Sequence, residues 1–307
     1  MTKKKNLANK PPKQTGFKLW LHGARLRTLP LAIAPVAIGT GVAAAVDKFN
    51  AGLAWLALAV ALFLQIGVNF ANDYSDGIRG TDEKRVGPLR LTASKSVRPQ
   101  SVKFVAFAFF ALAAISGFAI VLLTQHWWFL LVGALAILAA WFYTGGKNPY
   151  GYAGLGELSV FIFFGLVATY GTAFIQTGTF DINAITGGVA AGSFASAVLM
   201  INNIRDAELD AHAGKRTLAV KVGKRWAKAI YFALLWLPFV ILFPYPLLYP
   251  ATFFTWANVL LVIPTTLIVA TAKTAKEQIL ALKLTSFAGL AFALLFGWGL
   301  ATINLAI

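Results

Sequence analysis

The amino-acid sequence predicts an all-α protein that crosses a lipid bilayer several times. Hydrophobic residues make up 58% of its 307 residues and charged residues only 12%, whereas soluble domains carry about 25% charged residues. Apolar runs long enough to cross a bilayer recur along the chain. Because these runs lack the strict alternation of a transmembrane β-barrel, helices are the remaining spanning structure.

Nine apolar runs are predicted to be transmembrane helices. In chain order they cover approximately residues 28–46, 51–76, 101–124, 126–144, 155–176, 184–205, 227–248, 252–272 and 279–304. Residues 1–27 are predicted to form a basic cytoplasmic head, in which an interfacial helix from Phe17 to Leu21 leads into the first span. Residues 28–307 are then a single transmembrane domain. Five glycines are predicted to allow close helix packing or, alternatively, a lateral opening for a lipid tail, and packing is favoured: Gly39, Gly41, Gly165, Gly171 and Gly192.

The positions of Lys and Arg predict the orientation in the membrane. With a cytoplasmic N-terminus, 26 of the 27 Lys and Arg residues fall on the cytoplasmic side and only Lys48 lies outside. Cytoplasmic loops carry such an excess of positive charge, so nine spans place the C-terminus outside. Topology and anionic lipid headgroups explain the net charge of +16, and no nucleic-acid partner is expected. The head lacks the Arg- and Ser-rich character of an organelle transit peptide, so a bacterial cytoplasmic membrane is the expected location.

Two polar motifs interrupt the apolar runs. They cover residues 69–83 and 202–210 and hold seven of the chain's 11 acidic residues. Carboxylates at the edge of the hydrocarbon region are costly and usually functional. In the first motif, Asn72 and Asp76 are four residues apart and therefore share one helix face. In the second, Asn202, Asp206 and Asp210 repeat this spacing over two turns.

The two motifs are predicted to face one cavity. Asn72 and Asn202 lie 130 residues apart, as do Asp76 and Asp206. Four predicted helices separate the two helices that carry the motifs, so both motifs end on the cytoplasmic face. We interpret this arrangement as a weak parallel repeat of two four-helix units, followed by a ninth helix.

The residue types in and after the motifs predict a divalent metal that holds a diphosphate. Mg²⁺ takes one or two carboxylates and completes its shell with water and substrate phosphates. Basic residues that could clamp a diphosphate are Arg79, Lys84, Lys147, Lys215 and Arg216. The acids could instead form only salt bridges at the membrane edge, but two motifs in matching places favour the metal site.

Four segments together resemble the UbiA superfamily of membrane prenyltransferases. They are Arg25 to Pro30, Asn69 to Arg90, Tyr143 to Glu157, and Asn202 to Val220. Within the superfamily, these segments are similar to the branch that prenylates 1,4-dihydroxy-2-naphthoate in menaquinone synthesis. Two positions differ from the usual pattern: Leu26 replaces a proline, and Asp76 and Asp82 are six residues apart rather than four. Asp82 therefore cannot share the helix face of Asp76.

The resemblance implies a reaction and roles for individual residues. A polyprenyl diphosphate and 1,4-dihydroxy-2-naphthoate would give demethylmenaquinol, CO₂ and pyrophosphate, with Mg²⁺ neutralising the leaving diphosphate. The expected metal ligands are Asn72, Asp76, Asp82, Asn202, Asp206 and Asp210. The expected diphosphate-binding residues are Arg79, Lys84, Lys147, Lys215 and Arg216. The expected catalytic residues are Asp73, Asp76, Asp206 and Tyr143, and those for the acceptor are Arg25, Arg90 and Glu157.

Several of these roles stay open at the level of sequence. Either Arg25 or Arg90 could hold the acceptor carboxylate. Asp73 could be a third metal ligand or a base, Glu157 could be only a solvated helix start, and Tyr143 could shield an allylic cation or anchor the chain at the membrane interface.

Three alternative functions compete with this one. A different aromatic acceptor such as 4-hydroxybenzoate would need the same donor chemistry, so the acidic motifs cannot exclude it. A transporter is disfavoured because the acids lie at the helix ends rather than at mid-membrane. A CDP-alcohol phosphotransferase is disfavoured because Ile78, Arg79 and Gly80 replace that family's continuation of its metal motif.

Overall fold

A computed structural model describes residues 16–81 and 89–305, and within these ranges the chain is helical and contains no strand. The principal helices are α1 Phe17–Ala24, α2 Pro30–Ala45, α3 Ala51–Arg79, α4 Pro99–Thr124, α5 Phe129–Phe142, α6 Gly156–Thr177, α7 Ile182–His212, α8 Leu218–Leu242, α9 Pro250–Thr271 and α10 Ala275–Ala301. Each of the nine predicted helical runs has a counterpart among α2 to α10.

In the described ranges, seven helices are long and apolar enough to cross a membrane individually. An eighth candidate is the pair Phe17–Thr28 and Pro30–Ala45, bent by 49° at the break, and Phe129–Phe142 is a shorter apolar helix. The count of nine spans and the orientation of the termini stay predictions.

The structure changes two predicted helix boundaries around the second polar motif. Helix α7 continues to His212 rather than ending near residue 205. The acids of its last turns, Asp206 and Asp210, are buried and paired with Arg205 and Lys215, which allows them to lie in the helix. Helix α8 begins at Leu218 rather than near residue 227 and is interrupted at Gly223, where φ is 76° and ψ is 162°. Within the described residues, the first polar motif is helical up to Arg79 and the second is helical throughout.

Helices pack backbone against backbone at glycines, as predicted. A Cβ on Gly165 of α6 would lie 2.5 Å from the Cα of Gly192 on α7. Gly41 of α2 meets the backbone of Gly297 on α10 in the same way. Such contacts allow close approach of helices in a membrane. Gly171 differs, since the nearest atom to its Cβ position is 3.7 Å away, on Phe129.

Helix α1 lies within residues 1–27, the segment predicted to be a cytoplasmic head. It packs on α3, with the Trp20 and Phe70 ring centroids 5.9 Å apart. Residues 1–15 of the predicted head lie outside the described ranges. After α1 the chain turns at Arg25, whose φ of 52° places it in the left-handed region. This turn directs the chain into α2.

Candidate active site

One cavity of about 320 Å³ connects the C-terminal ends of α3 and α7 with the interior of the helix bundle. Its polar lining comes from six segments of the chain and includes Arg25, Thr28, Gln65, Asn69, Asn72, Asp76, Arg90, Tyr143, Thr144, Asn202, Asn203 and Lys215. The two polar motifs thus contribute to one cavity, as their spacing predicts.

The rest of the cavity is apolar and deep. Along α3 its lining runs from Asp76 back to Ala57, a distance of about 28 Å at the rise of roughly 1.5 Å per helical residue. The far end is lined by Val36, Ala57, Gly117, Ile120, Phe129 and Ile175. A π-helical stretch of α6, Phe161–Val167, contributes Phe163 and Phe164 to the wall. The cavity is therefore amphipathic, with a charged mouth and a long apolar interior.

Asp76 is the acid of the first motif that lines the cavity. Its residue is only 3% exposed, and its Oδ1 accepts a hydrogen bond of 2.7 Å from the Tyr152 hydroxyl. The Arg90 guanidinium lies 4.0 Å from its Oδ2. One turn earlier, the side-chain oxygen Oδ1 of Asn72 accepts a hydrogen bond of 2.7 Å from the Thr144 hydroxyl. Asp82 and Lys84 lie outside the described residues.

Asp73 has a different environment from its neighbours. Its two carboxylate oxygens accept hydrogen bonds from the backbone N–H groups of Leu91 and Thr92, at 2.8 and 2.9 Å. It is 1% exposed and is absent from the cavity lining. The carboxylate holds the segment before α4 against α3, because it satisfies two backbone donors that would otherwise be buried without partners.

The acids of the second motif are paired with nearby cations. Asp206 is 4% exposed and accepts hydrogen bonds from Arg205 Nε and Nη2 at 2.7 and 2.6 Å. Asp210 lies 3.6 Å from the Lys215 ammonium. Of the motif's predicted ligands, Asn202 lines the cavity whereas Asp206 and Asp210 lie behind its wall. Lys215 itself reaches the cavity.

Three basic residues predicted to bind diphosphate lie outside the cavity lining. Arg79 donates hydrogen bonds to the carbonyl oxygens of Thr144 and Gly146, so it shapes the loop after α5. Lys147 is exposed, because the chain turns at Gly146 with a φ of 77° and points the next residue outward. Arg216 is also exposed. The basic residues of the described chain in the lining are Arg25, Arg27, Arg90 and Lys215, and Arg90 lies beside Asp76.

A second polar group lies on the α1–α2 side of the cavity. The Thr28 hydroxyl donates to the Arg25 carbonyl at 2.9 Å and accepts from the Asn69 and Gln65 amides at 3.0 and 3.2 Å. These bonds hold the left-handed turn that carries Arg25. Nη2 of Arg25 is buried and has no hydrogen-bond partner among the described residues.

Glu157 lies at the start of α6, and Tyr143 directly follows α5. Glu157 is 6% exposed, so it is not a solvated helix start, and its Oε1 accepts a hydrogen bond of 2.9 Å from the Asn203 amide. Asn203 lines the cavity, whereas Glu157 lies behind it. Tyr143 lines the cavity, and its ring stands edge-on to Tyr150 at 5.6 Å.

The sequence interpretation assigned no role to Tyr152, although it lies in a quoted motif. Besides its bond to Asp76, its ring lies 5.2 Å from the Arg79 guanidinium and 5.3 Å from the Lys215 ammonium. Burial, and then the Asp76 carboxylate, raise the pKa of Tyr152, so the phenol keeps its proton at neutral pH. Helical spacing in the sequence could not predict this contact, because it forms only when the loop after α5 folds back against the end of α3.

Comparisons with known proteins agree with this geometry. Residues 32–279 match the UbiA prenyltransferase family. The chain is 51% identical over 219 residues to 1,4-dihydroxy-2-naphthoate octaprenyltransferase from Mycobacterium tuberculosis, covering 71% of this chain and 75% of the relative. It is 40% identical over 222 residues to the protein of the same name from Escherichia coli, covering 70% and 72% of the two chains.

Solved structures show the same fold. A UbiA homolog from Archaeoglobus fulgidus bound to GPP and Mg²⁺ aligns with a TM-score of 0.62 and 17% identity, covering 93% of this chain and all of that one (100%). An apo UbiA homolog from Aeropyrum pernix K1 aligns with a TM-score of 0.62 and 18% identity, covering 90% of this chain and 97% of that one. This chain is an integral membrane protein and belongs to the UbiA prenyltransferase family.

Proposed function

We propose that this protein transfers a polyprenyl group from polyprenyl diphosphate to 1,4-dihydroxy-2-naphthoate, releasing pyrophosphate and CO₂ and forming demethylmenaquinol. The naming of relatives at 51% and 40% identity supports this acceptor. The observation that carries the proposal is the amphipathic cavity, in which a charged mouth adjoins an apolar interior about 28 Å deep along α3. A polyprenyl diphosphate has the same division between a charged head and a long apolar chain.

The residues at the mouth fit a magnesium ion. The described residues contain no cluster of three or more His, Cys, Asp or Glu that could hold a metal, but Mg²⁺ commonly uses one or two carboxylates together with substrate phosphates. Asp76, Asn72 and Asn202 present such oxygen ligands around one cavity, and we assign them as the protein's ligands. When bound, Mg²⁺ neutralises negative charge that develops on the leaving diphosphate. Arg205 Nη2 donates to both Asn202 Oδ1 and Asp206 Oδ2, so the guanidinium must move before either side chain can bind the metal. The metal roles of Asp206 and Asp210 stay predictions.

Lys215 and Arg90 supply positive charge to the diphosphate. Both line the cavity close to Asp76 and Asn202, and Asp210 keeps the Lys215 ammonium in place. Charge-assisted bonds of this kind stabilise a leaving group best where water is excluded. Arg79 acts indirectly, since it holds the Thr144 and Gly146 carbonyls. Roles for Lys147 and Arg216 would require movement of their exposed side chains.

Arg25 is the better candidate for the acceptor carboxylate. Its buried Nη2 has an unused hydrogen-bond donor in the described structure, and its backbone is fixed by Thr28. Arg90 instead lies beside the Asp76 carboxylate. Asn203, held by Glu157, also lines the cavity and would contact an acceptor hydroxyl.

The wall residues protect the reactive intermediate. Cleavage of the bond between C1 of the prenyl chain and the diphosphate oxygen leaves an allylic cation, which Tyr143, Phe163 and Phe164 can shield with their ring faces. The electron-rich ring carbon that bears the carboxylate then attacks this cation. Loss of CO₂ from the same carbon returns the electron pair to the ring and restores aromaticity.

We also propose the complete topology. Counting α2, the second member of the bent pair, and the shorter helix α5 with the seven long helices gives nine spans in the single domain 28–307. The distribution of Lys and Arg supports an N-terminus and an active site on the cytoplasmic side of a bacterial inner membrane. The basic head is then residues 1–27, with α1 at the interface.

A product assay tests the proposed function. Purified protein is incubated with Mg²⁺, a polyprenyl diphosphate and either 1,4-dihydroxy-2-naphthoate or 4-hydroxybenzoate, and products are identified by mass. We expect a prenylated naphthoquinol in the first reaction. A prenylated product with 4-hydroxybenzoate alone would overturn the acceptor, and absence of product in both, with folded protein, would overturn prenyl transfer.

A further inference from the structure

Tyr152 connects the two halves of the candidate active site. Its hydroxyl donates a hydrogen bond of 2.7 Å to Asp76 on α3, and its backbone carbonyl accepts one of 3.0 Å from the Arg216 N–H after α7. The loop that carries Tyr152 therefore contacts the segments on which both polar motifs end. No other tyrosine hydroxyl among the described residues donates to an acid of either motif.

The local sequence fixes the position of the Tyr152 ring. The loop after α5 forms a short 3-10 turn over Tyr150–Ala153, which ends at Gly154 with a φ of 78°. Gly151 lies so close to Tyr143 that a Cβ would come within 2.5 Å of the Tyr143 carbonyl oxygen. Only glycine allows this approach, which brings the next side chain beneath the end of α3.

The contacts of the ring and the hydroxyl have separate effects. The hydroxyl donates to Oδ1 of Asp76 and so restricts rotation of the carboxylate. The other oxygen, Oδ2, lies 4.0 Å from Nη2 of Arg90. The ring centroid lies 5.2 Å from the Arg79 guanidinium and 5.3 Å from the Lys215 ammonium. Because an aromatic ring attracts cations, it helps to hold both charges in place.

We propose that Tyr152 is a positioning residue that orients Asp76 and Lys215 and so sets the affinity of the site for a magnesium–diphosphate complex. The inference rests on the proposed function. It adds that the hydroxyl and the ring contribute separately, and that their effect falls on the donor side of the reaction and not on the aromatic acceptor.

Binding of inorganic pyrophosphate with MgCl₂ to the purified full-length protein, measured by calorimetry, tests the proposal without turnover. We expect Tyr152→Phe to bind about tenfold more weakly, since a hydrogen bond to a charged group is lost. Tyr152→Leu, which also loses the ring, should bind about a hundredfold more weakly. Tyr170→Phe is the control, because Tyr170 lies outside the cavity lining and packs on Phe174 and Phe180.

Kinetics and stability separate positioning from a general structural effect. Tyr152→Phe should raise the KM for polyprenyl diphosphate and leave that for the acceptor within about twofold, with the thermal midpoint of the ligand-free protein unchanged. Wild-type affinity in Tyr152→Phe, or an equal rise in both KM values, would overturn the proposal while leaving the proposed function intact. Failure of the wild-type protein to bind magnesium pyrophosphate would overturn both.

Discussion

The amide of Asn203 donates a hydrogen bond of 2.9 Å to the carboxylate of Glu157, and only Asn203 lines the cavity. Glu157 therefore acts on the cavity through its neighbour. Its second oxygen, Oε2, is buried and has no hydrogen-bond partner among the described residues. Glu157 therefore holds the Asn203 amide in place as a polar group of the cavity lining that could contact a ring hydroxyl.

Loss of the Glu157 carboxylate should weaken acceptor binding. We expect Glu157→Ala to raise the KM for the naphthoate about tenfold, because Asn203 loses its charged partner, with little change in the KM for the donor. Glu157→Gln should recover part of the loss, since its amide oxygen can still accept. Glu277→Gln, at the exposed start of α10, is the matched control. Equal effects on both KM values would contradict this role.

Asp76 should be essential for turnover, because it is the acidic side chain among the described residues that lines the cavity. Asp76→Ala is expected to lower kcat/KM by at least about a thousandfold without unfolding the protein. Asp181→Ala serves as control, since Asp181 caps the far end of α7. The same loss is predicted for Asp206→Ala. Activity near the wild-type level in either variant would contradict a site built from both motifs.

For Asp73, in contrast to Asp76, we predict a loss of stability rather than a loss of turnover. Its carboxylate satisfies the Leu91 and Thr92 N–H groups, so Asp73→Ala should destabilise the fold by about 2 kcal/mol and lower the thermal midpoint. Turnover per folded molecule should stay within about threefold of wild type. The measurement is a thermal scan combined with activity below the transition. An unchanged midpoint with abolished turnover would return Asp73 to the catalytic residues that the sequence predicts.

Arg25 and Arg90 should affect different substrates. Arg25→Gln is expected to raise the KM for the naphthoate about tenfold or more, because a buried carboxylate would lose its charged partner. Arg90→Gln should act mainly on the donor, because Arg90 lies beside Asp76. Arg98→Gln, at the start of α4 and outside the cavity lining, is the control. If Arg90→Gln instead raised the KM for the naphthoate and Arg25→Gln acted on the donor, Arg90 would be the residue that holds the acceptor.

The far end of the cavity should limit donor length. Ala57 lines that end and is 8% exposed, so Ala57→Phe would fill space that a long chain needs. Turnover with a long polyprenyl diphosphate is expected to fall about tenfold more than turnover with a short one. Ala111→Phe, on the exposed side of α4 and outside the cavity lining, is the control. An equal fall in turnover for both donors would show that the prenyl group does not extend to this end of the cavity.

The sequence predicted the helices well because each is a long apolar run. It also predicted that the motifs around Asn72 and Asn202 face one cavity, since equal spacing on parallel helices places them at the same depth. These conclusions depend only on helical periodicity and on the length needed to cross a bilayer.

The finer placement of side chains depended on loop geometry that the spacing does not encode. Lys147 turns outward because of the positive φ at Gly146, and Asp206 pairs with the adjacent Arg205. Tyr152 meets Asp76 only through the fold of its loop, across 76 positions of sequence. Such contacts form between segments far apart in the chain, so periodicity could not identify them.

The most direct test uses 1,4-dihydroxy-2-naphthoate labelled in its carboxyl group, with Mg²⁺ and a polyprenyl diphosphate, and measures labelled CO₂ and pyrophosphate together. Replacement of the ring carboxylate by the prenyl group predicts equal amounts of both products, each dependent on the purified protein. Pyrophosphate release without labelled CO₂ would show that the donor is cleaved but that the naphthoate is not the acceptor.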